Sequence, residues 1–486
     1  MSPLDRRGRW IAAAILILLA LGSLRDLARL GDALPWRTMD DFPDFYCAGA
    51  ALNEGRSPYT YEPLHGCEHR VNVGAGFRAA LFAANPAVAV PAPQPPYDFP
   101  PFMALAHLPI GDARAIDAIA IVLSVALCAL ALAGMGVPFD LALASLALSA
   151  GYAELNTGQI VPFALLALVL CGFALERGRE RLAGVAAALV AIEPTVGVPV
   201  VLATLLFVPR ARWPLLATVA ILALTALALV GPAGLLAYFA LVLPAHALSE
   251  LHFPFQYGST YLLTYLGVPA AAVRPVGAFV YVAGLAAGLW LAPRAARALR
   301  VPAMLAFLPA MVAVAAAPFL HQEELALAIP AALLLATRSA GARRTLATIA
   351  LCVLSIPWIA VWGIKRLFLA SLFVCAVILL RLRIEIRAAI LILCALAAGI
   401  YAFEIHSPQL PTPAPSALRS YAPNELVQAA WRDYTQARAT PDVLWLIVKI
   451  PSWAALLALL GIAVAVVRDQ TETTADPFEP SISRRI

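Results

Sequence analysis

The chain has 486 residues, of which 62% are hydrophobic and only 13% charged, with a formal net charge of +5. Charged residues make up about 25% of an average soluble domain, so this composition excludes a large water-soluble core. Its basic residues sit in short clusters between apolar runs, a pattern that reports topology across a membrane rather than nucleic-acid binding.

A hydrocarbon core of about 30 Å needs roughly 20 apolar residues per helix. On that measure spans are expected near 10–29, 113–134, 138–153, 160–176, 214–231, 272–293, 301–319, 323–337, 345–361, 367–381, 388–402 and 443–467. The prediction is an all-α, polytopic membrane protein of about twelve transmembrane helices, one membrane-embedded domain over 1–486. The first run follows Arg6, Arg7 and Arg9 and carries no small-residue cleavage site, so it reads as an anchor. Residues 182–208 are apolar but broken at Glu193-Pro194, and neither half is long enough to cross. A re-entrant helical hairpin is expected there, with Pro194 ending the first half; an ordinary kinked span is the alternative.

With that hairpin counted as zero or two crossings, RGRER (177–181), RAARALR (294–300), RSAGARR (338–344), RLRIEIR (381–387) and the tail from Arg468 all fall on one side. The positive-inside rule makes that side cytoplasmic, together with both termini. The plasma membrane of a bacterium is the expected location. Three segments then lie outside: 30–112, 232–271 and 403–442. The first contains the Pro-rich PAPQPPYDFPPF (91–102), and the third reads as a Pro-rich linker followed by one surface helix.

Cys128, Cys171, Cys352, Cys375 and Cys394 lie inside apolar runs, where a thiol behaves as a small hydrophobe. Cys47 and Cys67 both lie in the first outer segment, in an oxidising compartment, and are expected to form a disulfide. The chain contains no CxxC and no Cys/His ligand spacing, so neither a metal centre nor a cofactor is expected.

Chemistry is sought first in MDDFPDFYCAGAALNEGRSPY (39–59), just beyond the first span. Asp40, Asp41 and Asp44 cluster there. A carboxylate at the membrane boundary can serve as a general base, although Asp is also a favoured helix N-cap. If residues 41–52 are helical, Asp41, Asp44 and Ala48 share one face.

From Asp41 onward, DFPDFYCAGAALNEGRSPY resembles the aspartate-containing loop pattern of glycosyltransferase family 87, membrane mannosyltransferases of the GT-C type that use polyprenyl-phosphate mannose. Further segments resemble that family in order: DFPPFMALAHLPIG (98–111), LNTGQIVPFALLAL (155–168), FQYGSTYLLTYLGV (255–268) and FLHQEELALAIPAALLL (319–335). Glu193-Pro194 stands where the family commonly has Lys-Pro. The resemblance implies a GT-C fold and inverting transfer of a hexose, most often mannose, from a polyprenyl-phosphate donor to a lipid or glycan acceptor. It places the general base on Asp41, with Asp44 three residues along, and a functional histidine on His321.

The departing phosphate needs pre-placed donors. Candidates on the outer face are His321, Arg274, Lys365 and Arg366, with His246 and His252 nearby. Each has a plainer reading: HQEE (321–324) as a polar boundary, Lys365-Arg366 as side chains snorkelling to headgroups. Gln256, His252 and Glu193 are candidate substrate contacts; Glu193, an intramembrane carboxylate, could instead be paired structurally. His65 and His69, beside Cys67, could touch the acceptor. A transporter or lipid flippase is the runner-up, since such proteins also carry broken helices and intramembrane charges, although no internal repeat is visible. A catalytically silent relative serving in assembly is the third reading.

Overall fold

A computed structural model describes residues 39–72, 77–359, 365–405, 418–437 and 443–474. The expected first span, 10–29, lies outside the described residues, as does the tail beyond residue 474. Among the described residues the regular structure is helical, with one isolated bridge pairing Thr60 and Leu426.

Four helices build the first outer segment: α1 (Phe42–Asn53), α2 (Tyr61–Val71), α3 (Phe77–Ala84) and α4 (Pro100–Leu105). Asp41 precedes α1, and Pro43 sits in its first turn, where a missing N–H costs nothing. Phe42, Phe45, Phe99 and Phe102 bury together with Tyr59 and Leu64 as a small core of their own. Cys47 on α1 and Cys67 on α2 are joined as a disulfide across 5.6 Å between Cα atoms, as expected from their shared compartment.

The bundle follows: α5 (Ile110–Gly134), α6 (Phe139–Leu146), α7 (Ala153–Thr157), α8 (Val161–Glu176), α9 (Glu180–Leu189), α10 (Pro194–Phe207), α11 (Arg212–Ala237), α12 (Leu243–Ser249) and α13 (Ser259–Tyr265). It continues through α14 (Ala270–Leu299), α15 (Met304–Ala316), α16 (Ile329–Arg338), α17 (Gly341–Leu354), α18 (Lys365–Arg381) and α19 (Ile386–Ile405). The chain closes with α20 (Val427–Ala437), α21 (Leu444–Ile447) and α22 (Ile450–Thr474). Among the described residues, 110–134, 209–249, 270–299, 386–403 and 444–470 form five helices long and apolar enough to cross a membrane. Segments 161–176, 194–207, 304–316 and 367–381 are apolar but shorter. Exposed Leu127, Ile221, Leu224, Phe279, Leu391 and Leu457 belong to these helices and suit lipid, not water. The protein is a membrane protein.

The elements depart from the expected twelve spans at specific places. Residues 138–153 are α6 followed by a π-helical stretch, Ala147–Tyr152, whose wider turn interrupts the run. Segment 323–337 divides into a 3₁₀ turn, Glu323–Ala328, and the ten-residue α16. The expected break at 231/232 is present, but segment 232–271 opens with a second helical stretch that runs to Ser249. Gly231, at φ 67° and ψ 175°, is non-helical and separates two helical stretches of α11 at a kink beside Pro232. The break at Glu193 is as expected, with Glu193 extended at φ −111° and ψ 90° between α9 and α10.

α15 and α16 form the centre and are buried along nearly their whole length. α15 packs against α14, α10 and α8, while α17 packs on α16 and α22. One end of the bundle is rich in arginine. Arg177 donates to the carbonyl of Gly134, Arg338 to that of Met135, and Arg344 to that of Leu382. Arg381 pairs with Asp140 and Arg343 with Asp469. The opposite end of α8 carries Gln159, and the end of α15 remote from Arg300 carries His321. The arginine clusters and the candidate catalytic residues thus occupy opposite ends of the bundle, about 24 Å apart along the sixteen residues of α8.

Candidate functional site

A cavity of about 890 Å³ opens at the end of the bundle away from the arginines. Asp40, Asp41 and Asp44 line it at the start of α1; Glu193 lines it at the α9–α10 break; His246, Glu250, His321, Glu323 and Glu324 line the far wall. Its flank is apolar, formed by Val198 on α10, by Val219, Leu222, Ala223 and Ala226 before the bend in α11, and by Leu235 and Phe239 beyond it.

Asp41 is set by contacts with a distant segment. Its backbone N–H donates to the carbonyl of Thr157 at 2.7 Å, and that of Asp40 to Asn156 at 3.0 Å. Gln159 Nε2 donates to Asp41 Oδ2 at 2.7 Å, which fixes the carboxylate's rotamer. Gly158 makes this approach possible: it lies at φ +73°, and a Cβ there would sit 2.6 Å from Phe42 Cβ. Asp44, one turn into α1, is buried at 2% exposure and faces the same cavity. Asp41 and Asp44 of the expected face therefore turn to one cavity, with Asp41 at the N-cap and not inside the helix, while Ala48 does not line it.

His321 stands opposite, after the end of α15. Its Nε2 lies 3.3 Å from Glu250 Oε2 and 2.9 Å from Gln256 Nε2. Gln256 donates to Glu250 Oε2 at 3.1 Å and accepts from the N–H of Leu320 at 2.9 Å. Trp431 Nε1 donates to the other Glu250 oxygen, and Glu324 accepts from the His321 backbone N–H at 2.6 Å. Burial alone would lower the His321 pKa, but the bond to Glu250 and the charges of Glu250, Glu324 and Glu323 raise it to about 10. Burial pulls Glu250 upward, yet His321, His246 and Gln256 bring it down to about 2. Glu323 is pushed up to about 7, first by burial, with His321 opposing and Glu324 reinforcing.

The remaining candidates divide. Gln256 is 1% exposed and does not line the cavity; it orients His321 and Glu250 instead of meeting a substrate. His252 is not in the cavity wall. Arg274 is exposed and lines a separate hollow of about 580 Å³ between Leu248 and the start of α14. The side chains of Lys365 and Arg366 lie outside the described residues. His65 and His69 contact the carbonyls of Pro86 and Val88 at 2.8 and 3.3 Å, which ties α2 to the following loop and away from the cavity. Glu193 does line the cavity, and its break is held by Tyr97, donating to the Ala191 carbonyl at 2.8 Å, and by Tyr281, donating to Thr195 at 2.7 Å.

Sequence reasoning missed Glu250 and Trp431. Trp431 lies on α20, expected as a surface helix, but Val427, Trp431 and Tyr434 are buried and α20 packs on α2 and α12. Its apolar face, repeating at helical spacing, was the available signal. Sequence reasoning also expects no metal centre, yet His321, Glu323 and Glu324 bring ligand atoms within 4.8 Å of one another. Comparison with protein-family models, curated proteins and solved structures finds no match to this chain.

Proposed function

We propose that the protein is an inverting glycosyltransferase that moves a hexose, in keeping with its resemblance a mannose, from a polyprenyl-phosphate donor to a lipid or glycan acceptor. The observation that carries this reading is the make-up of one cavity. Carboxylates at and just before the start of α1 face it from one side, His321 from the other, and its flank is built from a helix apolar enough to lie in lipid. A polar reaction centre beside an apolar wall suits a substrate with a charged head and an isoprenoid tail.

In the reaction, the acceptor hydroxyl oxygen bonds to the anomeric carbon as the bond from that carbon to the phosphate oxygen breaks. The electron pair leaves with the polyprenyl phosphate, and the hydroxyl proton passes to Asp41. Gln159 holds Asp41 for this role. His321 lies in the cavity wall opposite Asp41, aligned by Glu250 and Gln256. The active site belongs on the extracytoplasmic side, opposite the arginine-rich end, with both termini cytoplasmic in a bacterial plasma membrane.

The test is turnover of a polyprenyl-phosphate hexose by purified protein. Asp41→Asn should lower it by about 10²–10⁴-fold while donor binding persists, and Asp44→Asn should cost less. Full activity in Asp41→Asn with a dead Asp44→Asn moves the base to Asp44. Lipid movement without any glycosylated product would instead indicate a flippase.

A further inference from the structure

The cavity poses a charge problem. Seven carboxylates line it, those of Asp40, Asp41, Asp44, Glu193, Glu250, Glu323 and Glu324, and no Lys or Arg does so among the described residues. Of the cationic candidates from the sequence, His321 and His246 face it among the described residues, and the His321 imidazole is engaged with Glu250. An anionic phosphate entering such a site meets repulsion unless a further positive charge accompanies it.

Three side chains are arranged to hold one. Ligand atoms of His321, Glu323 and Glu324 all lie within 4.8 Å of one another. Around an ion bonded at about 2.1 Å, octahedral ligand atoms stand roughly 3 Å apart when adjacent and 4.2 Å apart when opposite, so a small adjustment closes the set. Glu323 and Glu324 open a 3₁₀ turn, which presents neighbouring side chains from one tight bend. The imidazole is also supported as metal-bound histidines usually are: one ring nitrogen faces a carboxylate, here Nε2 and Glu250 at 3.3 Å, leaving Nδ1 for an ion.

A second feature points to the same place. Glu154 on α7 is completely buried, and neither of its carboxylate oxygens has a hydrogen-bond partner. The charges it feels most strongly are those of Glu323 and Glu324, followed by Asp41 and Glu193. The π-helical stretch Ala147–Tyr152 that leads into α7 packs directly on the Glu323–Ala328 turn. A buried carboxylate without donors, set behind two more carboxylates, has no protein group to compensate it; a cation would.

We infer that His321, Glu323 and Glu324 form a divalent-cation site backed by Glu154, and that the ion supplies the positive charge for a phosphate-bearing substrate. Carboxylates with one imidazole suit Mn²⁺ or Mg²⁺. The part concerning phosphate rests on the function proposed above; the ion site does not.

The experiment uses the full chain in lipid nanodiscs, stripped with chelator and titrated with Mn²⁺ alone, free Mn²⁺ being read by electron paramagnetic resonance. One ion per chain is expected. Its affinity should fall at least tenfold in Glu323→Gln and in Glu324→Gln, and measurably in Glu154→Gln, while Asp41→Asn retains it. All three glutamine variants keep the side-chain size, so those that fold with the parent's unfolding temperature decide the result. Absence of stoichiometric Mn²⁺ binding, or equal affinity in all three variants, overturns the site. Glycosyl transfer that persists in excess chelator overturns the ion's role with phosphate and leaves the proposed function standing. Binding of the ion without any transfer supports the site and counts against that function.

Discussion

Gly158 gives the sharpest test of how the site is built. Two costs meet at this residue and can be separated. The first is conformational: at φ +73° an L side chain pays about 1–2 kcal/mol. The second is steric, because a Cβ would lie 2.6 Å from Phe42 Cβ and 3.1 and 3.2 Å from Met39 Cε and Cβ. Phe42 and Met39 are both 0% exposed and have nowhere to retreat, so overpacking adds about 1–3 kcal/mol. Gly158→Ala should therefore destabilise by about 2–5 kcal/mol, adding the two ranges. Gly55, at the end of α1, isolates the first cost: its φ is +70°, but a Cβ there meets nothing within 4 Å. Gly55→Ala should cost only about 1–2 kcal/mol. Thermal unfolding of the purified variants gives the stability order. Turnover tests the consequence for the site, since pushing Phe42 away carries Asp41 from Gln159 and Thr157. Equal unfolding temperatures for the two variants, or full turnover in Gly158→Ala, would refute the claim that close packing of α1 on this turn places Asp41.

The Cys47–Cys67 disulfide spans 20 residues, so its loss in the double Cys→Ser variant should destabilise the outer segment by roughly 3 kcal/mol, read by limited proteolysis. Trp431→Phe keeps an aromatic side chain, though a smaller one, and removes a hydrogen bond to a carboxylate, a loss of about 1.5–3 kcal/mol; turnover should fall with no change in Asp41 reactivity toward carbodiimide. Gln256→Leu should lower turnover similarly, because Glu250, His321 and Leu320 all lose a partner, whereas His252→Ala should be close to neutral in the same assay. Gly231→Ala should cost about 1–3 kcal/mol, since φ 67° with ψ 175° is nearly restricted to glycine, and should impair a long-chain donor more than a short-chain one by altering the apolar cavity wall.

The fold was legible where physics acts along the chain. Apolar runs identified α5, α14 and α22 because crossing lipid demands uninterrupted hydrophobic length, and Glu193-Pro194 announced its break because proline removes a donor. Legibility failed where a run of suitable composition changes helical form. Nothing in the composition of 138–153 announces a π-helical stretch at Ala147, and although Gly231-Pro232 does stop one helix, nothing there announces that a second helical stretch follows at once. Arginine clusters predicted one end of the bundle, and Arg381 with Asp140 and Arg343 with Asp469 do gather there, for electrostatic pairing joins what the positive-inside bias first sorts.

The site followed a different logic. Asp41 and His321 stood out because each belongs to a local run that can be read by itself, but the groups that give them chemical meaning are remote. Gln159 is 118 positions from Asp41, and Trp431 is 181 from Glu250. Neither Glu250 nor Glu154 sits in a conspicuous cluster, so local patterning gives no reason to choose either. Only their environment does: the same carboxylate is unremarkable in water and demands a partner when buried. Glu250 has three donors or cations around it and Glu154 has none, although both are nearly or wholly buried. The contrast makes Glu154 a sharper reporter of a missing charge than the aspartates of the 39–59 run that first attract notice. If Glu154→Gln raises the unfolding temperature of ion-free protein and lowers it relative to the parent when Mn²⁺ is added, the carboxylate is a cost accepted for the cation. A variant destabilised equally under both conditions would make it a structural residue and remove the argument.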